Sequence, residues 1–100
     1  MKEMKCLVKL MYDELGDSQK YAELALKYKE SDSYLADSFN KLSAQELEHF
    51  ETLHAQAVRL VRDHAQTEPP KGMKEIWEWE HERMIEWKAQ IRNLQDFYRK

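Results

Sequence analysis

At 100 residues the chain has room for one small domain, and a charged fraction of 35% with only two Gly and two Pro reads as long helices joined by short connections. A net charge of −3, with basic and acidic residues interspersed, gives no reason to expect a nucleic-acid partner, and no run is long and apolar enough to span a membrane. Cys6 is the only cysteine, which excludes an internal disulfide and a thiolate metal cage; with no apolar run of signal-peptide length in Met1–Leu7, a reducing, cytoplasmic location is expected.

The first helix is expected from near the N-terminus to about Lys29. Its apolar stripe is Leu7, Leu10, Met11, Leu15, Tyr21, Leu24, Ala25 and Tyr28, at helical spacing. Gly16 interrupts it at about 1 kcal/mol relative to Ala, and marks either close packing or a mild bend. Ser31-Asp32-Ser33 holds the best capping residues, so the turn is placed there. The second helix then carries Leu35, Phe39, Leu42, Glu46, His49, Leu53, Gln56 and Leu60 along a three-and-four seam. Glu68-Pro69-Pro70-Lys71-Gly72 breaks the chain, and a third helix follows with Met73, Ile76, Trp77, Met84, Trp87, Ile91, Leu94 and Tyr98 on its stripe. The reading is one all-α domain over residues 1–100: an antiparallel hairpin over about 3–66 and a third helix over about 70–98.

Two ionisable residues, Glu46 and His49, interrupt the second seam. A carboxylate and an imidazole three residues apart share one helix face, near enough to grip one cation. A buried carboxylate is costly unless it is paired or holds a cation. Either the seam is locally wet and these residues bond each other or another helix, or they form part of a metal site. Glu14 bears on that choice. It lies 17 residues before Ser31, while His49 lies 17 after Asp32, so a hairpin turning there sets the two level. Glu14 also lies in its own stripe, seven residues after Leu7 and seven before Tyr21, a spacing that returns to within about 20° of the same face. Glu14, Glu46 and His49 are therefore the candidate metal ligands. They make half of a carboxylate-bridged di-iron set, which takes one Glu from each of two helices and a Glu-x-x-His from each of two more. Two copies related by a two-fold axis would complete it.

Two further Glu-x-x-His pairs are read differently. Glu78 and His81 fall on the order of 15 Å along the axis from the level of His49 and are expected to serve as surface charge or as a helix-start preference. Glu51 and His54 are turned about 140° from the seam and are expected to be partly exposed or to face helix three. Trp77 and Trp87 are read as packing residues, Trp79 as a subunit contact, and Met4, Met11, Met73 and Met84 as core fillers. Cys6 is expected to be small and buried, and His64 to sit near a helix C-terminus.

Glu14 followed by Tyr21, then Glu46-Leu47-Glu48-His49, resembles the first half of a ferritin-like protein, rubrerythrin in particular, over roughly residues 7 to 64. The resemblance implies a terminal ligand at Glu14, a bridging carboxylate at Glu46, a terminal nitrogen ligand at His49, and Tyr21 beside the metals bonding a ligand carboxylate. The third helix does not match the second half of such a chain, and one cysteine cannot build a rubredoxin domain. The organisation is similar to that of encapsulated ferritins, which also make an iron site from two short chains. The implied protein is a four-helix bundle completed by dimerisation, as a homodimer or a ring of dimers. It would hold two Fe ions per dimer, with Mn or Zn as other fits, and oxidise Fe²⁺ with O₂ or peroxide. The competing expectation is a non-catalytic helical interaction protein whose polar seam residues set register.

Overall fold

The computed structural model describes residues 2–64 and 73–100. Three helices make up the described chain: α1 (Lys2–Tyr28), α2 (Ser33–His64) and α3 (Met73–Arg99). No strand occurs among the described residues, and no helix among them is long and apolar enough to cross a membrane. The proline break and the expected ends of the second and third helices at about 66 and 70 lie outside the described residues.

The first turn falls where the capping residues predict it. The Asp32 carboxylate accepts the Leu35 amide at 3.1 Å and its carbonyl accepts the Ala36 amide at 2.9 Å. Such an N-cap contributes about 1 kcal/mol. The amides of Ser31 and Asp32 in turn donate to the Tyr28 carbonyl, at 3.2 and 2.9 Å. These bonds cap the end of α1 and the start of α2 within a four-residue reversal, which brings the two helices side by side.

Each helix buries a stripe at heptad spacing. It is Met4, Met11, Leu15, Ser18, Ala22 and Ala25 in α1, and Ala36, Ser43, Leu47, Phe50 and Ala57 in α2. In α3 it is Trp77, Met84, Ile91 and Gln95. This is the seven-residue repeat of helices packed nearly parallel, with knobs from one set between those of the next. Toward the turn the stripe is small: Ser18, Ala22, Ala25, Ala36 and Ser43. Away from it the larger Met11, Leu15, Phe50, Trp77 and Met84 fill the core.

The buried stripe of α2 corrects the sequence reading. It lies one residue along from the expected seam, so Ala36 replaces Leu35, Ser43 replaces Leu42, Leu47 replaces Glu46 and Phe50 replaces His49. One residue turns a helix by about 100°. The expected seam therefore runs down a flank of the hairpin, where Leu10, Leu35 and Leu42 are exposed and Tyr21, Phe39 and Leu53 half-buried. Two other expectations also fail. Cys6 is exposed, and Ile76 is 61% exposed although its spacing placed it on the α3 stripe.

α3 takes the opposite flank. It runs parallel to α1 and antiparallel to α2, and packs mainly on α1. Tyr12 donates to Glu80, and the Trp87 indole donates to Gln19. The Trp87 ring also passes over Gly16, so close packing is the reading the structure takes there. Along α2, His54 meets His81, Glu51 pairs with Lys88, and Ser43 accepts from Gln95. The result is a rod of 55 × 17 × 15 Å, with one long flank of the hairpin covered by α3 and the other uncovered in the single chain.

Candidate metal centre

Glu14, Glu46 and His49 each precede a core residue: Leu15, Leu47 and Phe50. That offset turns all three the same way, off the core axis and onto the flank away from α3. The hairpin sets them level, as the count from the turn predicts. His49 Nδ1 lies 3.4 Å from Glu14 Oε2 and 3.6 Å from Glu46 Oε2, and one ligand atom from each residue falls within 4.8 Å of the others. Among the described residues no other group of three His, Cys, Asp or Glu side chains does this. A cavity of about 300 Å³ opens beside them, lined by Leu10, Glu14, His49, Thr52 and Leu53, with no residue of α3.

The electrostatics of the trio are those of a site short of positive charge. Glu14 Oε2 is buried without a hydrogen-bond partner; His49 Nδ1 is near enough to attract it but not aligned to donate. The facing Glu46 carboxyl, more than burial, pushes the Glu14 carboxyl up to about 7, and nearby His49 only partly offsets this. Two carboxyls at close quarters favour holding a proton between them until a cation replaces it. Carboxylate oxygen with imidazole nitrogen is a donor set that suits Fe²⁺, Mn²⁺ and Zn²⁺. The residues present fit a divalent ion, to which they could offer three protein ligands. The His49 side chain is 60% exposed, so the site opens outward on its imidazole side.

Tyr21 sits on the same flank two turns from Glu14. Its ring stacks on Phe39 with centroids 6.1 Å apart, and among the described residues its hydroxyl makes no hydrogen bond to Glu14 or Glu46. The bond to a ligand carboxylate implied by the resemblance is thus not formed within one chain.

The level of helix three agrees with the sequence count. Glu51 opposite Lys88 and Ser43 opposite Gln95 bracket His49 between residues 88 and 95 of α3, so Glu78 and His81 do not reach the trio. Glu78 is exposed beside Lys74, as surface charge should be. Its companion His81 is not. It is half-buried, stacks on Trp77 at 5.0 Å, and meets His54 of α2 with the two Nε2 atoms 2.9 Å apart. His54 faces helix three, one of the two placements its rotation allowed. The sequence carried a signal for this pair: His54 continues the core spacing from Phe50 to Ala57, and His81 that from Trp77 to Met84. Trp77 is buried, Trp87 half-buried, and Trp79 exposed with the Arg83 guanidinium 4.5 Å over its ring.

No protein-family model, curated protein or solved structure matches the chain. The functional reading therefore rests on the residues and their arrangement.

Proposed function

We propose that two copies of this chain pair through the uncovered flanks of their α1–α2 hairpins, giving a ferritin-like four-helix arrangement that takes up Fe²⁺ and oxidises it with O₂ or peroxide. The observation that carries this reading is the position of the trio. Glu14, Glu46 and His49 lie level on the one long flank that α3 leaves open, among exposed Leu10, Leu35 and Leu42. A two-fold axis beside that flank sets an identical trio opposite the first and buries the leucines in the same step. The combined set, four carboxylates and two imidazoles, equals the di-iron complement of a four-helix bundle.

In this reading the protein's own groups bind, neutralise and gate. Glu14 and Glu46 of the two chains would offset the charge of two divalent ions, and His49 of each would add a nitrogen ligand. Glu14 releases its proton when a cation enters, so uptake competes with protons near pH 7. Each Fe²⁺ gives one electron, and two together reduce O₂ to peroxide or peroxide to water with two protons taken up. Mn²⁺ and Zn²⁺ suit the same donors as competitors.

The test is to load the purified protein with Fe²⁺ without air, admit O₂, and follow ferric absorbance, iron content and mass by sedimentation. Two irons per dimer and rapid oxidation are expected, both lost in Glu46→Ala and His49→Ala. Absence of binding, with unaltered stability in both variants, sinks the reading and leaves a helical interaction protein whose polar residues set register. A strict monomer in the presence of iron removes the shared site.

A further inference from the structure

His54 and His81 come from different helices and meet through their nitrogens. Their Nε2 atoms are 2.9 Å apart while the ring centroids are 5.0 Å apart and the planes 18° from parallel. The nitrogens therefore lie between the two rings, which meet edge to edge rather than face on face. The surroundings hold them there. Trp77 stacks on His81 at 5.0 Å, and Phe50 lies at 5.9 Å against His54. The two charges beside His54, Glu51 and Lys88, are paired with each other. Burial, together with the proximity of His81, holds His54 below the ordinary histidine value, so its ring is neutral and offers a lone pair at neutral pH.

We propose that His54 and His81 form a second, separate cation site, for a transition-metal ion of the imidazole-favouring class such as Zn²⁺, which clamps α3 onto α2. Two nitrogens each about 2.0–2.1 Å from a tetrahedral ion lie roughly 3.3 Å apart, so the pair opens by a few tenths of an ångström and each ring swings by about 35°, turning its Nε2 from its partner onto the ion. Solvent completes the coordination on the outer side of the half-buried rings. The clamp acts where it has most effect. α3 packs mainly on α1, and its hold on α2 rests on this pair, Glu51–Lys88, Ser43–Gln95 and Tyr98–Asp37. This site shares no residue with the Glu14–Glu46–His49 trio, and its test leaves that trio out.

The experiment uses the Glu46→Gln/His49→Gln protein titrated with Zn²⁺ alone. Calorimetry is expected to give one ion per chain. The melting temperature rises by roughly 10 °C or more at a hundredfold excess over the dissociation constant. Nitrogen-15 spectra of the histidine side chains should show the His54 and His81 Nε2 resonances shifting together with bound Zn²⁺. Adding His54→Gln and His81→Gln removes the binding heat and the thermal shift. If those two substitutions prevent folding, the spectra of the parent protein decide alone. Zn²⁺ that leaves both rings unmoved, or binds undiminished after both are replaced, overturns the proposal. The pair is then two imidazoles sharing a proton.

Discussion

The two flanks of the α1–α2 hairpin are built from one sequence pattern and end in opposite states. On the flank that α3 covers, polar side chains find partners across helices: Tyr12 with Glu80, Gln19 with Trp87, Glu51 with Lys88 and His54 with His81. On the other flank Glu14 Oε2 has only the His49 imidazole, 3.4 Å away and not aligned to donate, Glu14 and Glu46 crowd each other, and leucines face outward. Two carboxyls crowded enough to share a proton, beside exposed apolar side chains, cost a single chain stability. The covered flank accounts for the fold of one chain, and the uncovered flank is where the proposed pairing and metal uptake would act.

The contrast can be broken hardest at its core. Phe50 is fully buried, and Phe50→Ala should destabilise the protein by about 3–5 kcal/mol, lowering the denaturation midpoint in urea with little change in slope. Leu42→Glu on the uncovered flank should leave single-chain stability within about 0.5 kcal/mol. It should weaken self-association by roughly 2–3 kcal/mol, about a hundredfold in sedimentation equilibrium. An equal loss of single-chain stability in both variants would erase the distinction between the flanks.

Smaller effects sharpen it. The Glu14 carboxyl is raised to about 7 in the folded protein, so the folded chain holds an extra proton between about 4.5 and 7. Its contribution to stability is fully present below the unfolded value and is lost as pH rises through 7. Without metal, Glu14→Gln should match the wild type at pH 4.5 and exceed it above pH 7, by about 1 kcal/mol after allowance for solvent screening. Thermal melts across that range give the sign. In the same window, Fe²⁺ affinity of the His54→Gln/His81→Gln protein, where only the trio is left to bind, should fall as pH drops through 7. Least of all, Gly16→Ala should stabilise by about 0.5–1 kcal/mol. An added Cβ meets the Trp87 ring at 3.9 Å, an ordinary contact distance on the covered flank.

The sequence made three helices, the Asp32 turn and the level trio legible because each depends on local rules: capping, periodicity and counting from a reversal. It misplaced the core stripe of α2 for a physical reason. Hydropathy favours the bulky Leu35 and Leu42, whereas close helix approach near the turn selects their small neighbours Ala36 and Ser43. The side taken by α3 depends on which flank offers Gly16, Gln19 and Glu51 as partners, and no single helix encodes that. Composition points His81 to the surface, because its acidic neighbours outweigh the core spacing that it shares with Trp77 and Met84.

The serine pair in the buried stripe has a consequence for the trio. Ser18 Oγ donates to the Ser43 carbonyl and Ser43 Oγ donates to the Ser18 carbonyl, each at 2.8 Å. The two bonds form together or not at all, and they work as an indexing pin between the helices. Ser18 is four residues from Glu14, and Ser43 is three from Glu46. A slip of one turn would move one ligand helix by about 5.4 Å, and metal ligands tolerate about a tenth of that. Two hydroxyls outside the trio set the precision with which the two helices hold two carboxyls and an imidazole level.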